Sequence, residues 1–86
     1  MAEEIQSPVV ILRRKQVQSR VGLSRSTLYL RIGEGTFTKP VSLGGRAVGW
    51  PEHEVAALNA ARIAGKPDAE IRALVAQLEM ARKSVA

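Results

Sequence analysis

Hydrogen-bonding side chains are concentrated in one short stretch of the sequence. Arg25, Ser26 and Tyr29 fall within five residues and follow Ser24. Arginine can donate two hydrogen bonds to guanine, and serine or threonine can bond bases or phosphates. A solvated polar surface would have the same composition, so the stretch alone leaves both interpretations open. The candidate DNA contacts here are Ser24, Arg25, Ser26, Thr27 and Tyr29.

A second candidate site is the Gly44-Gly45-Arg46 tripeptide. It joins two short runs with alternating polarity, Val41 to Leu43 and Arg46 to Trp50, which is the pattern of a β-hairpin because glycine supplies the positive φ of a tight turn. An arginine at such a tip can contact the phosphate backbone or enter the minor groove. The alternative is a small sheet that only completes the core, and both can hold together.

Residues suited to catalysis or metal binding are few. His53 is the single histidine, it stands between two glutamates, and the chain has no cysteine. A metal or acid–base role would need convergent partners, so we expect a solvated residue in the first turn of a helix. The glycine pair at residues 44–45 lacks the lysine and spacing of a phosphate-binding loop. The sequence therefore predicts no enzyme, no catalytic residue, no metal and no cofactor.

The net charge of +5 is unevenly distributed. Residues 1–50 carry eight basic and three acidic side chains, whereas residues 51–86 carry five of each. A basic half is typical of a small protein with a nucleic-acid face, although charge alone equally allows a solvated basic surface. The candidate phosphate contacts are Arg14, Lys15, Arg20, Arg31 and Lys39.

The elements that must position these groups begin with two short helices. Residues 1–11 are expected to form a loose leader, and a helix is predicted from Leu12 through Val17 and Val21. Gly22 ends this helix and allows a turn.

The second helix of the pair begins at Ser24, whose hydroxyl can cap it. Leu28 and Ile32 give it a buried stripe, and Gly33 and Gly35 are expected to stop it. Two helices joined by a turn with glycine predict a helix-turn-helix.

Two further helices are predicted after the hairpin. One begins at Pro51 and ends at Gly65, the other begins at Pro67, and Trp50 is assigned to the core. The last helix has an apolar stripe that must be buried in its own domain or against another copy. Pairing would give a dimer with two half-sites, and head-to-tail contacts would give an array along DNA. The stripe consists of Ile71, Leu74, Val75, Leu78, Ala81 and Val85.

The stretches from Gly22 to Tyr29 and from Gly35 to Trp50, with Glu54-Val55, closely resemble the AlpA-like prophage regulators. The resemblance runs from about Leu12 to Leu58, with several motifs in the right order. It implies a MerR-like winged helix-turn-helix in a transcriptional regulator or an excisionase of a mobile element. It also implies that residues 24–29 begin the recognition helix and that residues 44–46 form the wing tip.

Three features depart from the family pattern. Thr38 stands where proline is usual, and we expect a looser entry to the wing there. Leu58-Asn59 replaces a common tryptophan-leucine pair, which predicts different packing near the third helix. The last helix lies outside the resemblance.

Together these observations predict a mainly α fold with a small β-hairpin, a winged helix-turn-helix with an added C-terminal helix. Its parts are a leader at residues 1–11, a DNA-binding domain at 12–65 and an amphipathic helix at 66–86. The expected partner is double-stranded DNA, with self-association on DNA and an integrase as further partners. With no signal peptide or membrane span evident, the expected location is the cytoplasm. The alternative is a small antitoxin-like or adaptor-like module that captures a protein partner through the last helix.

Overall fold

The computed structural model describes residues 9–84, and its first two helices follow from local capping signals. Helix α1 (Arg14–Val21) ends at Gly22, which has φ of 70° and donates its N–H to the Gln18 carbonyl. Helix α2 (Arg25–Glu34) begins where the Ser24 hydroxyl accepts the Thr27 N–H at 3.2 Å. The predicted cap and turn are thus confirmed. The end of α2 is at Gly35, with φ of 82°; the prediction that Gly33 also stops the helix was wrong.

A three-stranded antiparallel sheet holds the base of the hairpin. Strands β2 (Val41–Ser42) and β3 (Val48–Pro51) form the hairpin, and β1 (Ile11–Leu12) pairs with the other side of β3. Both glycines of the turn have positive φ, 100° at Gly44 and 56° at Gly45. The predicted hairpin is confirmed.

Strand β1 corrects the predicted start of the first helix. Leu12 is not helical but lies opposite Trp50 in the sheet, and Ile11 lies opposite Pro51 rather than in a loose leader. Leu12 is almost fully buried, so its pairing is stabilised by burial as well as by backbone hydrogen bonds. Val10 is also ordered by this pairing, since its carbonyl accepts the Glu52 N–H at 2.8 Å, and residues 1–8 of the predicted leader lie outside the described residues.

Strands β1 and β3 lie so close to each other at position 49 that glycine is favoured there. A Cβ there would collide with the Ile11 side chain and would lie 3.0 Å from the Leu12 carbonyl oxygen. Because β1 is paired with β3, the Ile11 side chain and the Leu12 carbonyl cannot both move away without disturbing the sheet, and the two contacts together favour a residue without a Cβ.

One core joins the sheet to all four helices. Trp50 is fully buried, as predicted, and its indole Nε1 donates to the Thr38 carbonyl at 2.9 Å. Helix α3 (Glu52–Ile63) and helix α4 (Asp68–Ala81) contribute two buried residues each to the apolar cluster. The buried apolar residues are Leu12, Val17, Leu28, Phe37, Trp50, Val55, Leu58, Ile71 and Val75.

Helix α4 packs on its own domain. Ile71 and Val75 are buried in the common core, and Leu74 and Leu78 pack against it half-buried. Of the two ways to bury this stripe, the intramolecular one therefore applies to these four residues. Ala81 is exposed rather than buried, and Val85 lies outside the described part. A short 3₁₀ helix (Arg82–Ser84) follows.

The arrangement is a winged helix-turn-helix with an added C-terminal helix, as predicted. None of the described helices has both the length and the apolar composition that crossing a membrane would need.

Candidate nucleic-acid interface

The first turn of α2 presents part of the predicted reading residues to solvent. Arg25 and Ser26 are exposed, and Tyr29 follows one turn later with 41% of its surface accessible. This is the part of a recognition helix that usually meets base edges. Arg25 forms no ion pair within residues 9–84, so its guanidinium is available to a ligand.

The other two predicted reading residues are engaged in the cap. The Ser24 hydroxyl accepts the Thr27 N–H and also lies 3.0 Å from the Thr27 hydroxyl. Ser24 therefore fixes the start of α2, and a contact of its own with DNA would have to use the remaining hydrogen-bonding capacity of this hydroxyl pair.

The hairpin tip is exposed to solvent. Gly44, Gly45 and Arg46 are all exposed, and the turn is closed by hydrogen bonds from Leu43 N to Ala47 O at 2.8 Å and from Ala47 N to Gly44 O at 3.1 Å. The Arg46 side chain has no acidic partner in the described part of the chain. The tip thus presents one cation on a short, hydrogen-bonded loop.

The predicted phosphate contacts differ in their availability. Lys15 and Lys39 are exposed, whereas Arg14 donates to the Gln18 side chain at 2.6 Å. Arg20 lies 2.8 Å from the Glu52 carboxylate in an exposed ion pair, which a phosphate would have to replace. Arg31 is half-buried and lines a pocket of about 160 Å³ between α2 and α3.

Three hydrogen bonds fix residues 38 and 39 in the loop that connects α2 to the wing. The Thr38 carbonyl accepts from Trp50, the Lys39 N–H donates to the Glu79 carboxylate at 2.9 Å, and the Lys39 carbonyl accepts from Arg82 at 2.6 Å. These bonds hold the wing base to the core and to the C-terminal helix. Thr38 itself is fully buried, and the looser wing entry expected from a threonine in place of proline stays a prediction.

A buried ion pair near the wing base was missed by sequence reasoning. Glu54 is fully buried in the first turn of α3, and Arg82 bonds both of its carboxylate oxygens. The pKa of Arg82 is raised by this hydrogen bonding, against the opposing effect of burial, with further help from the charges of Glu54 and Glu79. An acidic residue at a helix start is ordinary in sequence, so no signal distinguished Glu54.

Two exposed residues on α2 were also missed. Leu30 is 58% exposed, and Gly33, which lies one turn further along the same helix, is exposed too. The spacing contained a signal for Leu30, because the buried positions Leu28 and Ile32 leave the residue midway between them on the outer side of the helix.

Among residues 9–84, no three His, Asp or Glu side chains lie close enough together to hold a metal ion. His53 is exposed in the first turn of α3.

Comparison with known proteins places most of this structure in a known family. The family model described as "Prophage CP4-57 regulatory protein (AlpA)" matches residues 10–62, from just before β1 to the last turn of α3. An uncharacterized protein, ORF88, of Enterobacteria phage P4 is 51% identical over 55 residues, which are 64% of this chain. The chain spans 62% of the length of that relative. No solved structure matches.

Proposed function

The chain belongs to the AlpA family of prophage regulatory proteins, and we propose that it binds specific double-stranded DNA of a phage or integrative element in the cytoplasm. Helix α2 enters the major groove, and the wing contacts the adjacent backbone or minor groove. In this role the protein regulates transcription, directs excision, or does both.

The observation that carries this proposal is the coincidence of two exposed arginines on two different elements. Arg25 lies at the start of α2 and Arg46 at the wing tip, and neither has an acidic partner in residues 9–84. A recognition helix reads base edges and a wing contacts phosphates, so one cation on each suits two neighbouring parts of a duplex.

The charge balance supports the same partner. All of the net positive charge lies in residues 1–50, which contain α2 and the wing. A duplex is a dense row of phosphates, and each lysine or arginine that neutralises one releases a counterion.

Excision rather than regulation would require the DNA to be bent. Copies bound head to tail on repeated sites would shape the DNA into an arc, on which an integrase completes its contacts. The core packing of Ile71 and Val75 removes the middle of the α4 stripe from any such contact, so an array would have to use other surfaces. The alternative function, capture of a protein partner by the last helix, would need a free apolar face on α4. Ile71 and Val75 do not supply one, because both are buried in the core.

Footprinting on the DNA that flanks the gene and any neighbouring integrase gene tests the proposal. We expect a protected site and a log–log salt slope of about −4.5, as for about five phosphate contacts. Strong bending of attachment-site DNA would identify an excisionase, and binding confined to a promoter would identify a regulator. Absence of salt-sensitive duplex binding at low ionic strength would contradict the proposal.

A further inference from the structure

The outer face of α2 has an apolar centre. Leu30 is 58% exposed and adjoins Tyr29, which is 41% exposed, whereas Leu28 and Ile32 face the core. A leucine this exposed leaves apolar surface in contact with water in the middle of the helix that carries Arg25. Burial of that surface on binding is favourable by the ordinary hydrophobic effect.

The next outward position on α2 is a glycine with no structural reason to be one. Gly33 has helical backbone geometry within α2, and a Cβ there would meet nothing within 4 Å among residues 9–84. In the described part of the chain neither a turn nor close packing excludes alanine here, yet glycine destabilises a helix interior relative to alanine. The absence of a side chain here matters only if something outside the protein approaches the helix.

These positions lie on one line along the helix. Ser26, Leu30 and Gly33 are spaced four and three residues apart, so they share a face. The face therefore runs from a hydroxyl, through an apolar side chain, to bare backbone. It lies in the part of the chain with the positive charge, which favours a polyanion over a second copy of the same cationic surface.

Thymine is the base that presents an apolar group in the major groove, its 5-methyl. We propose that Leu30 reads a thymine by packing against this methyl group, and that Gly33 keeps the following turn of α2 bare so that the helix can lie close to the DNA. This inference rests on the proposed function, because it assigns a base preference to the same recognition helix.

Uracil substitution tests the Leu30 contact, because it removes the methyl group and leaves every hydrogen-bonding group unchanged. In the footprinted site, each thymine is replaced in turn by deoxyuridine, and affinity is measured for the parent and for Leu30→Ala. We expect one or two positions where the parent loses about fourfold, the value for one buried methyl group, and where Leu30→Ala loses nothing.

The matched control is Ile63→Ala, which removes an 87% exposed apolar residue from the end of α3. It should keep the parent's sensitivity to uracil. The inference is overturned if no thymine position matters, if Leu30→Ala keeps the same sensitivity, or if the Leu30 side chain instead supports self-association without DNA. Complete absence of specific duplex binding would be a failure of the proposed function, and is distinguishable from these results.

Gly33→Ala tests the second half of the inference. The variant should melt several degrees higher than the parent, because alanine is the better helix former. It should nevertheless bind the specific duplex roughly fivefold or more weakly, since an added methyl at a close contact is poorly tolerated. A variant that is more stable and binds as well as the parent would overturn the role of Gly33.

Discussion

Arg82 donates hydrogen bonds to both carboxylate oxygens of Glu54, at 2.7 Å and 2.8 Å, and Glu54 is completely buried. The pair joins the end of the C-terminal helix to the first turn of α3. The same guanidinium also donates to the Lys39 carbonyl at the wing base. Arg82 lies outside the family match, which ends at residue 62, and it links the wing base to the buried carboxylate of α3.

Arg82→Gln should destabilise the protein strongly, because it leaves the buried Glu54 charge without its partner. We expect a loss of about 3 kcal/mol in the free energy of unfolding, the low end for breaking a buried pair, since Arg82 itself is partly exposed. Urea denaturation measures the loss. Arg20→Gln, which breaks the exposed pair with Glu52, is the control and should cost less than about 1 kcal/mol. Equal losses in the two variants would contradict a special role for the buried pair.

The pH dependence of this pair follows from the raised pKa of Arg82. A group whose pKa is higher in the folded state stabilises the fold fully below its unfolded pKa, and the effect is lost as the pH rises through the folded pKa. Both values for arginine lie far above neutrality. Arginine therefore stays charged in both states between pH 6 and pH 9, and its ionisation should add no pH dependence to the difference in unfolding free energy between the parent and Arg82→Gln. Urea denaturation at several pH values in this range measures that difference.

Thr38→Val should stabilise the protein. The Thr38 hydroxyl is buried and has no hydrogen-bond partner within residues 9–84. Replacing it with a methyl group removes the free-energy cost of a buried, unpaired hydroxyl at nearly constant side-chain volume. We expect a gain of about 1 kcal/mol, seen as a higher melting temperature. Thr36→Val is the matched control, because the equally buried Thr36 hydroxyl donates to the Arg31 carbonyl at 3.3 Å. That variant should lose stability, and a loss in both would mean that the Thr38 hydroxyl is bonded.

The features of this fold that sequence predicts are those with local causes. The Gly22 turn, the Ser24 cap and the Gly44-Gly45 turn each depend on residues within four positions, so their chemistry is readable from the chain. Strand β1 has only two residues and shows no period; it exists because Leu12 meets Trp50, 38 residues away. The prediction that Leu12 belongs to a helix was therefore wrong, because a residue distant in the sequence decides its conformation.

The same distinction between local and long-range causes applies to the candidate site. Arg25, Ser26 and Arg46 were identifiable because a cap or a turn sets their exposure. The Glu54–Arg82 pair spans 28 positions, and only the packing of α4 on the core brings its members together. Periodicity showed that the α4 stripe must be buried but did not identify the surface that buries it.

Arg25→Ala should reduce sequence discrimination more than it reduces overall affinity. The guanidinium at the start of α2 is expected to bond a guanine, so its loss should cost about 1–3 kcal/mol on the specific duplex and much less on a random one. Competition binding with both duplexes at a single salt concentration measures the ratio. A ratio equal to that of the parent would mean that Arg25 does not read a base.

Arg46→Ala should weaken binding to specific and random duplexes alike, because a cation at the wing tip contacts phosphate or the minor groove rather than a unique base pattern. Loss of one phosphate contact should make the log–log salt slope shallower by about 1. Lys66→Ala removes the same formal charge from the link between α3 and α4, where Lys66 lies 3.7 Å from Glu70, and should leave the slope unchanged. If Arg46→Ala also left the slope unchanged, the wing tip would not be a phosphate contact. If it lowered only specific binding, Arg46 would be a reading residue like Arg25.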